Sequence, residues 1–273
     1  MPVVPIESSD DPRIADYRSI PDPELLARRG VFIAEGRLVV RRLLETGSPC
    51  VRSLLVSDAA LASIRDVVDP DRDSRRIYVA SKDLLSAIVG FNVHRGCLAC
   101  AERPAPLPLE TVIAPTGRSP LIVLEAVGNP DNIGGIFRNA RALGGCGVVL
   151  DRRCCDPLYR KAIRVSMGSC LEVPFTTVDE WIGTLQAIKD AGWWLVGLAP
   201  DRAAPDLADV LRGQRAAPVA FLLGHEGFGL SDEARALTHA VARIPMAPGV
   251  DSLNIATAAA IALYERRRQR QPR

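Results

Sequence analysis

Residues 121–151 read LIVLEAVGNPDNIGGIFRNARALGGCGVVLD. A continuous apolar run opens the stretch, a helical pattern ending in glycines follows, and a second apolar run, GVVLD, closes it. A strand apolar on both faces belongs to a parallel sheet covered on both sides, because it has no solvent face to mark with polar residues. The stretch therefore predicts strand, helix, strand. The same alternation continues downstream. DPLYRKAIRVS reads as a helix, CLEVPFTTV as a strand, VDEWIGTLQAIKDAG as a helix, and WWLVGLAP and PVAFLLG as strands. SDEARALTH follows as a helix with Ser231 at its N-cap, then AVARIPM as a strand and an alanine-rich helix at the end. Strands and helices at this spacing predict an α/β fold on a parallel sheet.

Upstream lies a smaller α/β unit, residues 21–103. DPELLARRGVFIAEGRLVVRRLLETG reads as helix, short strand, helix, with Leu38, Val39, Leu43 and Leu44 as an apolar stripe and Gly47 as the stop. The strands VRSLLVSD, RIYVAS and RGCLACAE then alternate with the helices LASIRDVV and KDLLSAIVG. Residues 1–20 are expected to be a loose or partly docked arm. Residues 104–119 are proline-rich and aperiodic, which predicts a linker. Residues 120–273 form the second domain.

The chain has 273 residues, 48% hydrophobic and 24% charged, the balance of a folded globular protein. No apolar run reaches the ~18 residues of a membrane span, and the start lacks a basic stretch leading into an apolar core. A cytoplasmic location is the expectation. Seven scattered cysteines fit a reducing compartment. A net charge of +2 does not announce a nucleic-acid binder, so the distribution matters more. Arginines gather at 28–29, at 37 with 41–42, at 152–153 with Arg160, Lys161 and Arg164, and at 266–268. His94, Cys97 and Cys100 have the residue types of metal ligands. Alternation along a strand puts the two thiols on opposite faces, and no metal site is expected. Trp193 and Trp194 stand at a strand start, where core packing is expected over base stacking.

Ligands of parallel sheets collect at the carboxyl ends of the strands, and three such ends are unusual here. The first is NPDN, where Asn129, Asp131 and Asn132 crowd a helix start that can receive an anion, with Arg138 six residues beyond Asn132. It fits neither the dinucleotide fingerprint nor the phosphate-binding loop, and the asparagines could equally be an ordinary N-cap. The second is LLGHEGFGL, where Gly224, Gly227 and Gly229 allow close backbone approach and Glu226 sits among them. His225 has no partner residue and reads as structural. The third is the head of the final helix, where Ser252 and Asn254 could bind a ligand or cap the helix.

In this order, at three strand ends of one sheet, the motifs resemble those of the SpoU/TrmH family of RNA ribose 2′-O-methyltransferases. The resemblance covers residues 119–268 and rests on NPDNIGGIFRNARALG, LLGHEGFGL and IPMAPGVDSLNIATAAAIALYE, with RVSMGSCLEVPF between them. The unit of residues 21–103 is similar, more weakly, to the substrate-binding domain preceding many of these enzymes, which resembles a small ribosomal protein. The resemblance implies a deep trefoil knot in the C-terminal domain, a homodimer made by that domain, S-adenosylmethionine as methyl donor, and RNA as partner, ribosomal RNA before transfer RNA. It implies that Leu222, Leu223, Gly224, Ile244, Met246 and Leu253 line the cofactor pocket. It places Glu226, Ser252 and Asn254 near the methyl-transfer centre and matches Asn132 and Arg138 to the family's catalytic pair. A guanidinium holds its proton above about pH 12, so Arg138 suits a phosphate clamp or a stabiliser of the forming alkoxide better than a base. Two alternatives stay open: a non-catalytic RNA-binding or ribosome-associated protein, and a knotted methyltransferase acting on a base nitrogen.

Overall fold

The computed structural model describes residues 3–18, 21–46, 51–68, 75–90, 96–114, 119–214 and 216–270. The chain divides into two compact units. One takes residues 1–105 with Leu158–Leu171, and the other takes Pro106–Pro157 with residues 172–273.

The first unit holds β1 (Val4–Pro5), β2 (Val31–Glu35), β3 (Val51–Val56), β4 (Arg76–Val79) and β5 (Cys97–Glu102), in the order β1-β4-β3-β5-β2. β1, β4 and β3 run parallel, and β5 runs antiparallel to β3 and β2. Helices Arg37–Glu45, Asp58–Ser63 and Lys82–Val89 follow β2, β3 and β4. Ser57 and Ser81 cap the last two by accepting from Ala60 N and Leu84 N.

The expected N-terminal arm is instead part of this core. β1 pairs with β4, and Ile6, Ile14 and Tyr17 are buried among Leu55, Tyr78 and Leu98. The β3–β5 register shifts between Val51 and Ser53. At that irregularity the Tyr17 hydroxyl lies 2.8 Å from the Ser53 carbonyl and accepts the Cys100 N–H at 3.1 Å. A bulge interrupts the ladder and leaves backbone groups to be satisfied elsewhere, and the tyrosine satisfies them. We expect Tyr17→Phe to cost about 1–3 kcal/mol, because it strands buried polar groups without removing ring packing. The denaturation midpoint should fall at an unchanged m-value; an unmoved midpoint refutes the role.

The segment Leu158–Leu171, assigned from sequence to the second domain, packs with the first unit. Polar ties explain this. The Asp22 carboxylate accepts Arg160 N at 2.9 Å, the Arg42 guanidinium donates to the Met167 carbonyl at 2.5 Å, and Arg164 lies 3.8 Å from buried Glu35. Cys97 and Cys100 are buried in β5, where desolvation pushes both thiols up to about 12. His94 lies outside the described residues. Among the described residues no cluster of three or more His, Cys, Asp or Glu is arranged to hold a metal.

The second unit is built on β6 (Leu121–Leu124), β7 (Gly147–Asp151), β8 (Phe175–Val178), β9 (Trp194–Leu198), β10 (Val219–Leu223) and β11 (Ala240–Ala242). The order is β11-β9-β10-β6-β7-β8, and every pairing is parallel. The parallel sheet read from residues 121–151 is thus present. β6, β7 and β10 are buried along their whole length.

Two local readings change. The proline-rich stretch carries a helix, Leu109–Ile113, with Pro108 at its N-cap and Val112 and Ile113 buried. Too few residues separate the prolines for a period to show, yet the segment is fastened: Trp193 Nε1 donates to the Ile113 carbonyl at 2.7 Å and Thr176 Oγ1 to the Leu107 carbonyl at 2.7 Å. Trp193 is core, 1% exposed. A short helix, Leu207–Arg212, occupies a stretch that sequence reading left unassigned.

Helix Pro130–Leu143 starts inside the NPDN motif. Asn129 is its N-cap, accepting from Asp131 N, and Gly144 ends it in the left-handed conformation. It packs on the final helix, Ile255–Arg270. A Cβ on Gly135 would come within 2.9 Å of Ala256 Cβ, and Asn139 Nδ2 donates to the Ala256 carbonyl at 2.8 Å. The small residues of the last helix therefore serve close helix–helix approach.

Candidate active site

From β6 the chain builds β7 and β8 on one side, then crosses over to β9, with β10 inserted between β9 and β6. Such a reversal opens a crevice at the strand ends. Here it is a cavity of about 660 Å³, within the ~300–1,000 Å³ range of small-molecule sites.

Three of the predicted pocket residues form apolar wall: Leu223 at the end of β10, and Ile244 and Met246 beyond β11. Gly224, Leu253, Ser252, Glu226, Asn132 and Asn254 also line the cavity. Leu222 does not. Neighbouring side chains of a strand point to opposite faces, and Leu222 is packed in the core with Val123 and Leu195. Leu198, Ala199 and Pro200, after β9, complete the wall. Sequence reading missed them because nothing in WWLVGLAP distinguishes a strand end next to β10 from any other.

Three polar side chains are joined in series. Asn254 Oδ1 caps the final helix by accepting from Ala256 N at 2.9 Å and Thr257 N at 3.3 Å. Its Nδ2 donates to Asn132 Oδ1 at 2.8 Å, and Asn132 Nδ2 donates to Glu226 Oε1 at 2.8 Å. Asn132 is 7% exposed and uses both ends of its amide, a pairing that a carboxylate at this position could not make. Glu226 is anchored through one oxygen, and its other oxygen has no partner among the described residues. Capping and site-building are therefore one role for Asn254.

The loop carrying Glu226 is gripped at both ends by Glu125, a residue sequence reading passed over inside LIVLEAV. Its backbone N–H donates to the Leu223 carbonyl at 2.9 Å, just before the loop. Its carboxylate accepts from Ser231 N at 3.0 Å and Ser231 Oγ at 2.7 Å, just after it. Glu125 and Asp151 are each 2% exposed, and Arg153 lies 2.6 Å from Asp151 and 3.3 Å from Glu125. Two buried carboxylates need such a counter-charge. Nearby, burial pushes the Cys154 thiol up to about 12. His225 Nδ1 accepts from Gly227 N at 2.8 Å and Phe228 N at 3.2 Å. That atom therefore shapes the loop, as expected of a structural histidine.

Arg138 stands apart. It is exposed, lies off the cavity wall, and has no partner among the described residues. Six residues of helix turn it about 240° from Asn132, so one chain does not bring the two together. The catalytic pair that the resemblance implied is therefore not assembled within one chain.

An all-parallel α/β domain with a loop-walled cavity at its topological switch point defines a small-molecule-binding enzyme domain. Residues 119–264 match the SpoU rRNA Methylase family, and the chain belongs to that family of RNA methyltransferases. It is 39% identical to an uncharacterised tRNA/rRNA methyltransferase of Mycobacterium tuberculosis, over 95% of this chain and 90% of that one. It is 34% identical to the 23S rRNA (guanosine-2′-O-)-methyltransferase RlmB of a Burkholderia species, over 72% of this chain and 79% of that one. The SpoU methyltransferase AviRb of Streptomyces viridochromogenes, solved in complex with the cofactor AdoMet, superimposes with a TM-score of 0.79 at 27% identity, covering 95% and 98% of the two chains. An rRNA methyltransferase of Sinorhizobium meliloti shares the fold, with a TM-score of 0.84 at 24% identity over 98% of both chains.

Proposed function

We propose that this protein transfers a methyl group from S-adenosylmethionine to a ribose 2′-hydroxyl of structured RNA, ribosomal RNA in the first place and transfer RNA in the second. The observation that carries the reading is the Glu226–Asn132–Asn254 series on the wall of a cavity that also offers apolar side chains (Leu198, Leu223, Ile244, Met246), glycine backbone and the polar groups of Asp251 and Ser252. The residues fit the donor: the apolar wall would take a flat base, the backbone of Gly224 and its neighbours polar edges, and the Glu226 carboxylate would suit a positively charged ligand. When bound, the donor would supply an electrophilic methyl group: its transfer to the 2′-oxygen would release S-adenosylhomocysteine as the thioether and the hydroxyl proton to water. The protein's part is mainly placement. Asn132 fixes Glu226, the Glu125 grip fixes its loop, and orientation alone lowers such a barrier substantially.

The same reading makes the C-terminal domain a knotted homodimer in the cytoplasm. Support for pairing comes from Tyr264, 57% exposed on the final helix, and from an Arg138 with no partner among the described residues. Arg138 then serves the partner's site. Mapping 2′-O-methyl groups in cellular RNA before and after gene deletion tests the reading. One ribose methyl should disappear. Loss of a base methyl instead, resolved by nucleoside mass analysis, would move the chemistry to a base nitrogen.

A further inference from the structure

Phe228 is 91% exposed, the most exposed large hydrophobic side chain among the described residues. It is nevertheless held in place. His225 and Gly229 exchange two backbone hydrogen bonds of 2.9 Å, which closes the turn beneath it. The imidazole of His225 takes the Gly227 and Phe228 N–H groups, and the His225 and Phe228 rings lie 4.9 Å apart at 35°. The loop thus spends three glycines and a histidine on presenting one bare phenyl ring. Its neighbours His225, Glu226, Gly227 and Gly229 line the cavity, and Phe228 does not. The ring stands outside the mouth, two residues from the carboxylate.

Resting on the ribose-methylation reading, we infer that Phe228 is a stacking platform for a nucleobase of the RNA substrate, at or next to the nucleotide whose ribose enters the cavity. A ribose placed in the cavity leaves its base to be received outside. A ring with one open side suits a planar base of any identity. A second protein chain suits it less. The core of a subunit contact is a contiguous apolar patch, whereas Phe228 is set among glycines, a carboxylate and an imidazole.

The test uses the full-length protein and ribosomal RNA from a gene-deletion strain, with Phe228→Ala, Phe228→Leu and Phe228→Trp compared. Stacking predicts that Ala and Leu raise the apparent KM for RNA roughly tenfold or more, while Trp keeps it near the wild-type value. Turnover at saturating RNA and affinity for S-adenosylhomocysteine should stay unchanged in all three. A wild-type KM in the leucine variant overturns the inference, since leucine is apolar but offers no ring face. A fall in sedimenting mass in the alanine variant overturns it too, by assigning the ring to a subunit contact. An inactive wild type defeats the parent reading, and this one with it, before any variant is compared.

Discussion

Arg138→Ala should lower methyl transfer by about a hundredfold or more while cofactor affinity stays at the wild-type value. Removing one preorganised electrostatic stabiliser typically costs that much, and a guanidinium that holds phosphate or steadies a forming alkoxide is such a group. Cofactor affinity is spared because the cavity is walled by the loops after β9, β10 and β11, the head of the final helix and the asparagines at the start of helix Pro130–Leu143, and Arg138 is not among the lining residues. Its exposed side chain leaves folding nearly indifferent to the change, within about half a kcal/mol. Methyl incorporation into RNA and calorimetry with S-adenosylhomocysteine should be measured together. Near-normal turnover would make Arg138 an ordinary surface residue. Lost cofactor binding would mean that it lines the donor pocket through a contact absent from the isolated chain.

Gly224→Ala should abolish cofactor binding and turnover together. A Cβ at this position would lie 2.3 Å from the carbonyl carbon and oxygen of Gly229 and 2.5 Å from the amide nitrogen of Leu230, all backbone atoms. No rotamer change relieves such contacts, so the loop of residues 224–230 must move as a body. Glu226 then leaves Asn132, and the cavity loses part of its wall. Gly227→Ala is the matched control, because its Cβ would meet only the His225 ring, at 3.4 Å, an ordinary contact. The β10 core lies outside the loop, so circular dichroism of both variants should match the wild type. Cofactor binding by Gly224→Ala within about threefold of the wild type would show that the loop does not form the donor site.

How far local sequence reaches is visible in particular residues. The apolar runs of β6, β7 and β10 announced a parallel sheet, because a strand buried on both faces has no polar period. Ser231 announced a helix start, because its hydroxyl bonds to the Ala234 N–H three residues on. Gly224, Glu226, Ser252 and Asn254, which line the cavity, were legible as candidate site residues because their chemistry is poorly explained by packing, and the family resemblance joined the three motifs. What tertiary structure alone decided concerns partners far apart in the chain. Asn132 meets Glu226 across 94 residues and Asn254 across 122. Tyr17 fills a bulge 36 residues away, and Glu125 reaches Ser231 across 106. Leu222 was placed on the wrong side of its strand, and Arg138 was paired with Asn132, for the same reason. Periodicity records that a residue is buried or exposed, but which cavity, core or neighbouring chain it faces depends on where distant strands and helices come to lie.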